Sequence, residues 1–106
     1  MINLIKKLFG MGDKTDFKEL VKQGALIVDV RSKEEFTSGH IKGAVNIPLP
    51  SLSDKLNELK AKNQTIITCC ASGMRSSSAC QQLKSQGLTS VYNGGGWSSL
   101  QEKITK

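Results

Sequence analysis

The sequence predicts an α/β domain whose mainly parallel sheet of four or five strands carries helices on both faces. Three observations lead there. The runs ALIVDV (25–30) and TIITCC (65–70) are apolar without alternation, as strands buried on both faces are. Strand-like and helix-like segments alternate along the chain, the order expected of βαβ units. A chain of 106 residues holds one core but not two, since autonomous domains usually run to about 100–150 residues.

The elements follow in order. MINLIKKLFG places Ile2, Leu4, Ile5, Leu8 and Phe9 at helical spacing, so residues 1–12 read as an amphipathic helix or extension ending at Gly10 or Gly12. The domain proper is expected over 13–106. Lys6 and Lys7 interrupt the apolar residues and no small-residue cleavage site follows, so export is not expected. Packing on the domain is the preferred role for this segment, over binding a membrane surface. Thr15 or Asp16 can cap a helix through Lys22, with Phe17, Leu20 and Val21 on one face and Gly24 past its end. The strand Ala25–Val30 comes next. Ser32 then opens a helix over KEEF, whose early acidic residues suit the helix dipole, before Gly39 and His40.

GAVNIP reads as a second strand, stopped by Pro48. Ser51 or Ser53 begins another helix, with Leu52, Leu56 and Leu59 at helical spacing and Asn63 as its exit. After the strand Thr65–Cys70, residues Arg75–Gln86 can form a helix stopped by Gly87. Ser90–Tyr92 is the last strand expected, running into Asn93 and three glycines, and a terminal helix begins near Trp97.

With 38% hydrophobic and 23% charged residues, the composition fits a soluble globular chain, and no stretch approaches the roughly 18 apolar residues of a membrane span. The net charge of +6 is spread along the chain and aromatics are only 5%, which argues against nucleic acid. It suits small anionic substrates, acidic partners or plain solubility. Three cysteines are an odd count and two of them are neighbours, so no ordinary disulfide framework is expected and a reducing cytoplasm is the anticipated setting. His40 is the only histidine and no Cys-x2-Cys pair exists, so no metal is expected; His40 is assigned to bracing the turn before Ile41. Gly94–Gly96 lack a dinucleotide-binding pattern.

Ligands of parallel α/β sheets sit beyond the carboxyl ends of the strands, where Asp29–Arg31, Cys70–Arg75 and Gly94–Trp97 converge. Within CCASGMRSSSAC (69–80), the residues ASGM curl back and the helix starting near Arg75 points its positive end at the loop, an arrangement that favours a thiolate. Gly73 supplies conformational freedom, Arg75 anchors the loop or a substrate anion, and the Ser76 hydroxyl can cap or donate. Counted from Cys69, the distance to Arg75 is the Cys-x5-Arg spacing of protein tyrosine phosphatases; counted from Cys70, four residues intervene. The phosphatase pattern places a glycine three residues after its cysteine, and Gly73 is three after Cys70 but four after Cys69. Gly73 therefore favours Cys70. Cys69 is expected to point the other way, into a packed layer. Cys80 is read as an inward apolar residue, with a resolving thiol as the alternative.

Over residues of about 14–103 the chain resembles single-domain rhodaneses, which are sulfurtransferases. Cys70, Gly73, Arg75 and Ser76 meet the pattern Cys-x-x-Gly-x-Arg-[Ser/Thr]. DVRSKEEFTSGHIKGAVNIPL (29–49) is similar to a second signature, and Gly95–Gly96 to a third. The resemblance implies that Cys70 takes a sulfane sulfur from thiosulfate or a persulfide donor. The sulfur is then held as a persulfide by the loop of Ala71, Ser72, Gly73, Met74, Arg75 and Ser76, and passed to cyanide, a thiol or a protein, with no metal or organic cofactor. Asp29 and Arg31 are supporting residues, read as a structural ion pair ahead of direct chemistry. Two departures stand out. Leu100 occupies the place of a tryptophan found in many relatives, and Trp97, nearer the glycines, is given no substrate role. Met74 is neutral and Ala71 replaces an arginine of some relatives, which suggests weak thiosulfate turnover and a preference for protein or persulfide donors. The alternatives are a cysteine-dependent phosphatase or arsenate reductase, and a non-catalytic binding module of the same fold.

Overall fold

The computed structural model describes residues 15–106, so the N-terminal helix expected over 1–12 lies outside the described residues. β1 (Leu26–Asp29) and β3 (Ile66–Cys70) lie side by side at the centre of one sheet. β2 (Val45–Asn46) flanks β1 and β4 (Val91–Gly96) flanks β3, and every pairing is parallel, in the order β2-β1-β3-β4. Parallel neighbours need crossovers, and helices supply them. α1 (Phe17–Lys22) precedes β1, α2 (Lys33–Ser38) follows it, and α3 (Leu56–Lys62) leads into β3. α4 (Met74–Ser85) links β3 to β4, and α5 (Trp97–Thr105) ends the domain. Among the described residues no helix is long and apolar enough to cross a membrane.

The two-residue side-chain period of the strands explains both continuous apolar runs. Ile66 and Cys70 face a layer built with Leu52, Leu59, Ala79 and Leu83. Ile67 and Cys69 face the opposite layer, with Phe17, Ile41 and Leu100. Both faces of β3 are thus covered, and all five of its residues are buried. Each fully buried Leu or Ile contributes about 1.5–3 kcal/mol of hydrophobic stabilisation.

Local sequence signals set the helix ends. Asp16 caps α1, its Oδ1 accepting the Glu19 N–H at 3.1 Å. Ser32 and Glu35 form a capping box at α2: the Ser32 hydroxyl accepts from Glu35 N at 3.2 Å and Glu35 Oε1 accepts from Ser32 N at 3.0 Å. Asn63 closes α3 in the left-handed region, φ 51°.

Three boundaries differ from the sequence expectation. The strand anticipated over 43–48 narrows to Val45–Asn46, since Pro48 has no N–H for the ladder, although Ile47 N and Leu49 N still donate to Asp29 O and Val30 O at 3.0 and 3.1 Å. The helix anticipated from Ser51 or Ser53 begins as a 3₁₀ segment at Leu49, with proline near its start, and becomes α-helical only at Leu56. The last strand does not stop at Tyr92 but runs on through the glycines to Gly96. There Thr68 pairs with Asn93 and Cys70 with Gly96, so two residues of β4 oppose one of β3, a bulge beside the sheet's carboxyl end.

Gly94 explains why glycine extends this strand. A Cβ there would lie 2.8 Å from Ile67 Cγ2, Leu100 Cδ2 and the Thr68 carbonyl oxygen. Gly94→Ala is therefore expected to destabilise the domain by about 1–3 kcal/mol through overpacking. Urea unfolding measures this, and a midpoint equal to that of the unmodified protein would show that β3 and β4 separate without cost.

Candidate active site

The carboxyl ends of β1, β3 and β4 bring together the three stretches that the sequence singled out. Cys70 is the last residue of β3, 1% exposed, on the face that α4 covers. The chain then turns through Ala71, Ser72 and Gly73, and Gly73, at φ +108°, serves as the N-cap of α4. A side chain there would be strained, which is why glycine fits the third position after the cysteine. The turn aims backbone donors back at the sulfur. Cys70 Sγ accepts from Gly73 N at 3.0 Å and from Ser76 N at 3.3 Å. The amino end of α4 adds its dipole to this cradle.

These donors decide the state of the thiol. Burial opposes ionisation of Cys70, but hydrogen bonds from the Ser76 side chain and from the Ser76, Gly73 and Ser72 backbone outweigh it and lower the pKa below the ordinary thiol value. Cys69 is the contrast. It is 0% exposed on the other face of the sheet, and burial, with the Asp29 carboxylate adding to it, pushes its pKa up to about 12. Cys80 is also buried, its thiol 3.7 Å from the Val91 carbonyl oxygen and raised in pKa by desolvation. One expected result follows for native protein treated with iodoacetamide. Alkylation at Cys70 rises with pH through a midpoint below that of an ordinary thiol and falls away at lower pH, as protonation removes the thiolate, while Cys69 stays unmodified. Peptide mapping of timed samples measures it, and preferential labelling of Cys69 would contradict it.

Ser76 links the cradle to the neighbouring strand. It is 0% exposed, and its Oγ lies 3.1 Å from the Gly73 carbonyl oxygen and 2.7 Å from Asn93 Oδ1. Asn93 Oδ1 also accepts the Gly95 N–H at 3.0 Å, which ties the glycine stretch of β4 to the start of α4. Thr68 Oγ1 donates to the Ser76 carbonyl at 2.8 Å from the strand beneath.

Arg75 has a definite partner. Its two guanidinium nitrogens meet the two oxygens of Glu35 in α2 at 2.8 and 3.0 Å, a two-pronged pair with both side chains about two-fifths exposed (40% and 38%). Arg75, joined by the capping-box hydrogen bonds, holds the Glu35 carboxyl down at about 2. This pair ties the first turn of α4 to α2. Met74 beside it is 82% exposed.

Asp29 and Arg31 form the structural pair expected of them. Arg31 Nε and Nη2 donate to both Asp29 oxygens at 2.8–3.1 Å, and Nη2 also reaches the Gly39 carbonyl at 2.7 Å. The Trp97 ring stacks on the guanidinium, 4.7 Å from its carbon. Asn46 Nδ2 donates to the carbonyls of Asp29 and Arg31, fixing that strand end. His40 braces its turn as expected, with Nδ1 2.7 Å from the Phe36 carbonyl and its ring stacked on Phe36.

Sequence reasoning missed Glu35 and Asn93 as parts of this site. Glu35 was read only as one of the early acidic residues of its helix, and nothing local announced its partner 40 residues away. Asn93 carried only the signal of preceding three glycines.

Comparison with known proteins agrees with this fold. A family model for the rhodanese-like domain matches residues 13–103. The uncharacterised protein YqhL of Bacillus subtilis (strain 168) is 41% identical over 69 residues, 65% of this chain and 54% of that protein. The chain thus spans about half the length of that relative. Thiosulfate sulfurtransferase PspE of Escherichia coli (strain K12) is 36% identical over 70 residues, covering 65% of this chain and 67% of PspE. Among solved structures, a rhodanese with anions from E. coli superposes with a TM-score of 0.66 at 32% identity, covering 72% of this chain and 91% of that one.

Proposed function

Because the chain belongs to the rhodanese-like domain family, we propose that it moves a sulfane sulfur from an anionic or persulfide donor to a thiophilic acceptor through a persulfide on Cys70. The observation that carries this reading is the cradle at Cys70, in which two backbone N–H groups point at a sulfur whose pKa is lowered. With thiosulfate as donor, the Cys70 thiolate attacks the outer sulfur, the donor's sulfur–sulfur bond breaks and sulfite leaves with the electron pair. In this reading the terminal persulfide sulfur carries the negative charge and accepts hydrogen bonds from the loop amides between Ala71 and Ser76. Cyanide or a thiolate then attacks that sulfur, and Cys70 leaves as thiolate, ready for the next donor. In this reading Arg75 holds the loop in shape, Asp29 and Arg31 support the strand end beneath it, and no metal or organic cofactor takes part. The three cysteines, all free and buried, suit a reducing setting such as the cytoplasm.

A phosphatase reading would place the nucleophile at Cys69, where the spacing to Arg75 matches. The Cys69 thiol faces the opposite layer with its pKa pushed up to about 12, which argues against it. Steady-state assays run in parallel test the proposal. Transfer of sulfur from thiosulfate or an alkyl persulfide to cyanide is expected, with the parallel double-reciprocal lines of a ping-pong reaction and no hydrolysis of an aryl phosphate. Phosphate release without sulfur transfer would reverse the assignment.

A further inference from the structure

The site contains two arginines, and both are committed to carboxylates of the same chain. Arg31 is buried against Asp29, and Arg75 is held by both oxygens of Glu35. The rest of the cradle, Ala71 to Met74 and Ser76, has no charged side chain. The sulfur is therefore met by backbone amides and the neutral Ser76 hydroxyl, with no cationic side chain of the loop left free, next to a methionine that is 82% exposed.

We propose that Glu35 is a positioning and specificity-determining residue, which turns the Arg75 guanidinium away from the donor and makes the site select singly charged, apolar-flanked organic persulfides over doubly charged oxyanions such as thiosulfate. This rests on the sulfur-transfer reading above. Two physical arguments lead to it. A dianion entering a site closed by amides needs a countercharge to replace its water, and the cation nearest in sequence is already neutralised across the loop. An organic persulfide brings one charge, on the sulfur that the amides receive, and an apolar body that the exposed Met74 side chain can cover. In the favoured reaction Cys70 Sγ bonds to the terminal sulfur of R–S–S⁻, the donor's sulfur–sulfur bond breaks, and RS⁻ departs with the electron pair. Atoms and charge balance without any redox partner.

Glu35→Gln isolates the effect. The glutamine oxygen can still accept the Ser32 N–H of the capping box, but the charge that pairs with Arg75 is gone. The expected result is a shift of at least about tenfold in the ratio of kcat/KM for thiosulfate to kcat/KM for an alkyl persulfide, in favour of thiosulfate. It should appear mainly as a lower KM for thiosulfate. A new salt dependence of the thiosulfate rate should accompany it, absent from the unmodified protein. Equal losses with both donors, or an unchanged ratio, would overturn the proposal and leave Glu35 a structural residue only. A second measurement is independent of the variant. In the unmodified protein the thiosulfate rate should stay flat between low and high salt, and a steep fall would reveal a free cation at the site and overturn the proposal. Failure of Cys70 to accept sulfur from either donor would be a different outcome, removing the sulfur-transfer reading and this inference with it.

Discussion

Replacing Cys70 with serine is expected to lower sulfur transfer at least about a thousandfold, whereas Cys69→Ala retains it. A serine hydroxyl at position 70 would meet the same Gly73 and Ser76 N–H groups, but they cannot bring an alcohol near ionisation at neutral pH, and oxygen does not form the persulfide. Folding should survive, because the substitution is nearly isosteric and its new hydroxyl finds donors already in place. Cys69→Ala removes a buried thiol from the layer of Phe17, Ile67 and Leu100 and should cost some stability with transfer intact. Initial rates of both purified variants, each checked for a native melting transition, measure the contrast. Equal loss in the two would mean that the face of the sheet does not decide which cysteine reacts.

The second large effect concerns stability. Asp29→Ala is expected to destabilise the domain by about 3–5 kcal/mol, because it leaves the Arg31 charge, 4% exposed, buried without a counterion. Small domains have total stabilities of about 5–15 kcal/mol, so the variant should sit near its folding threshold. The loss reflects an abandoned charge rather than the net worth of the pair. Removing both partners, as in Asp29→Asn with Arg31→Met, should therefore cost less than Asp29→Ala alone. Urea unfolding of the single and double variants tests this. A loss below about 1 kcal/mol for Asp29→Ala would mean that Arg31 escapes to water when its partner is removed.

The order of elements was readable because each depends on local patterns. Apolar runs marked the central strands, leucine spacing marked α3, and Ser32 with Glu35 marked the start of α2. Gly73 separated Cys70 from its neighbour because a positive φ at a fixed distance from the nucleophile is itself a local requirement. What the sequence did not display depends on which side chains meet after folding. Arg75 gave no hint of Glu35 across the loop, and Ser76 none of Asn93. The continuation of β4 through three glycines was unreadable for a related reason. Glycine is a turn signal by itself, and only the crowding by Ile67, Leu100 and Thr68 makes Gly94 the residue that a strand there requires. The edge strand β2 shrank because Pro48 limits the ladder, so the apolar residues after Asn46 continue beside β1 as loop.

The central claim is that the amide cradle makes Cys70, and neither neighbouring cysteine, the carrier of a transferable sulfur. Intact-mass measurement of the reduced protein after brief exposure to an alkyl persulfide or to thiosulfate, followed by peptide mapping, tests it most directly. The account predicts one added sulfur atom per chain, located on Cys70, discharged by cyanide and absent from Cys70→Ser. An unchanged mass with every donor, or a sulfur found on Cys69 or Cys80, would contradict it.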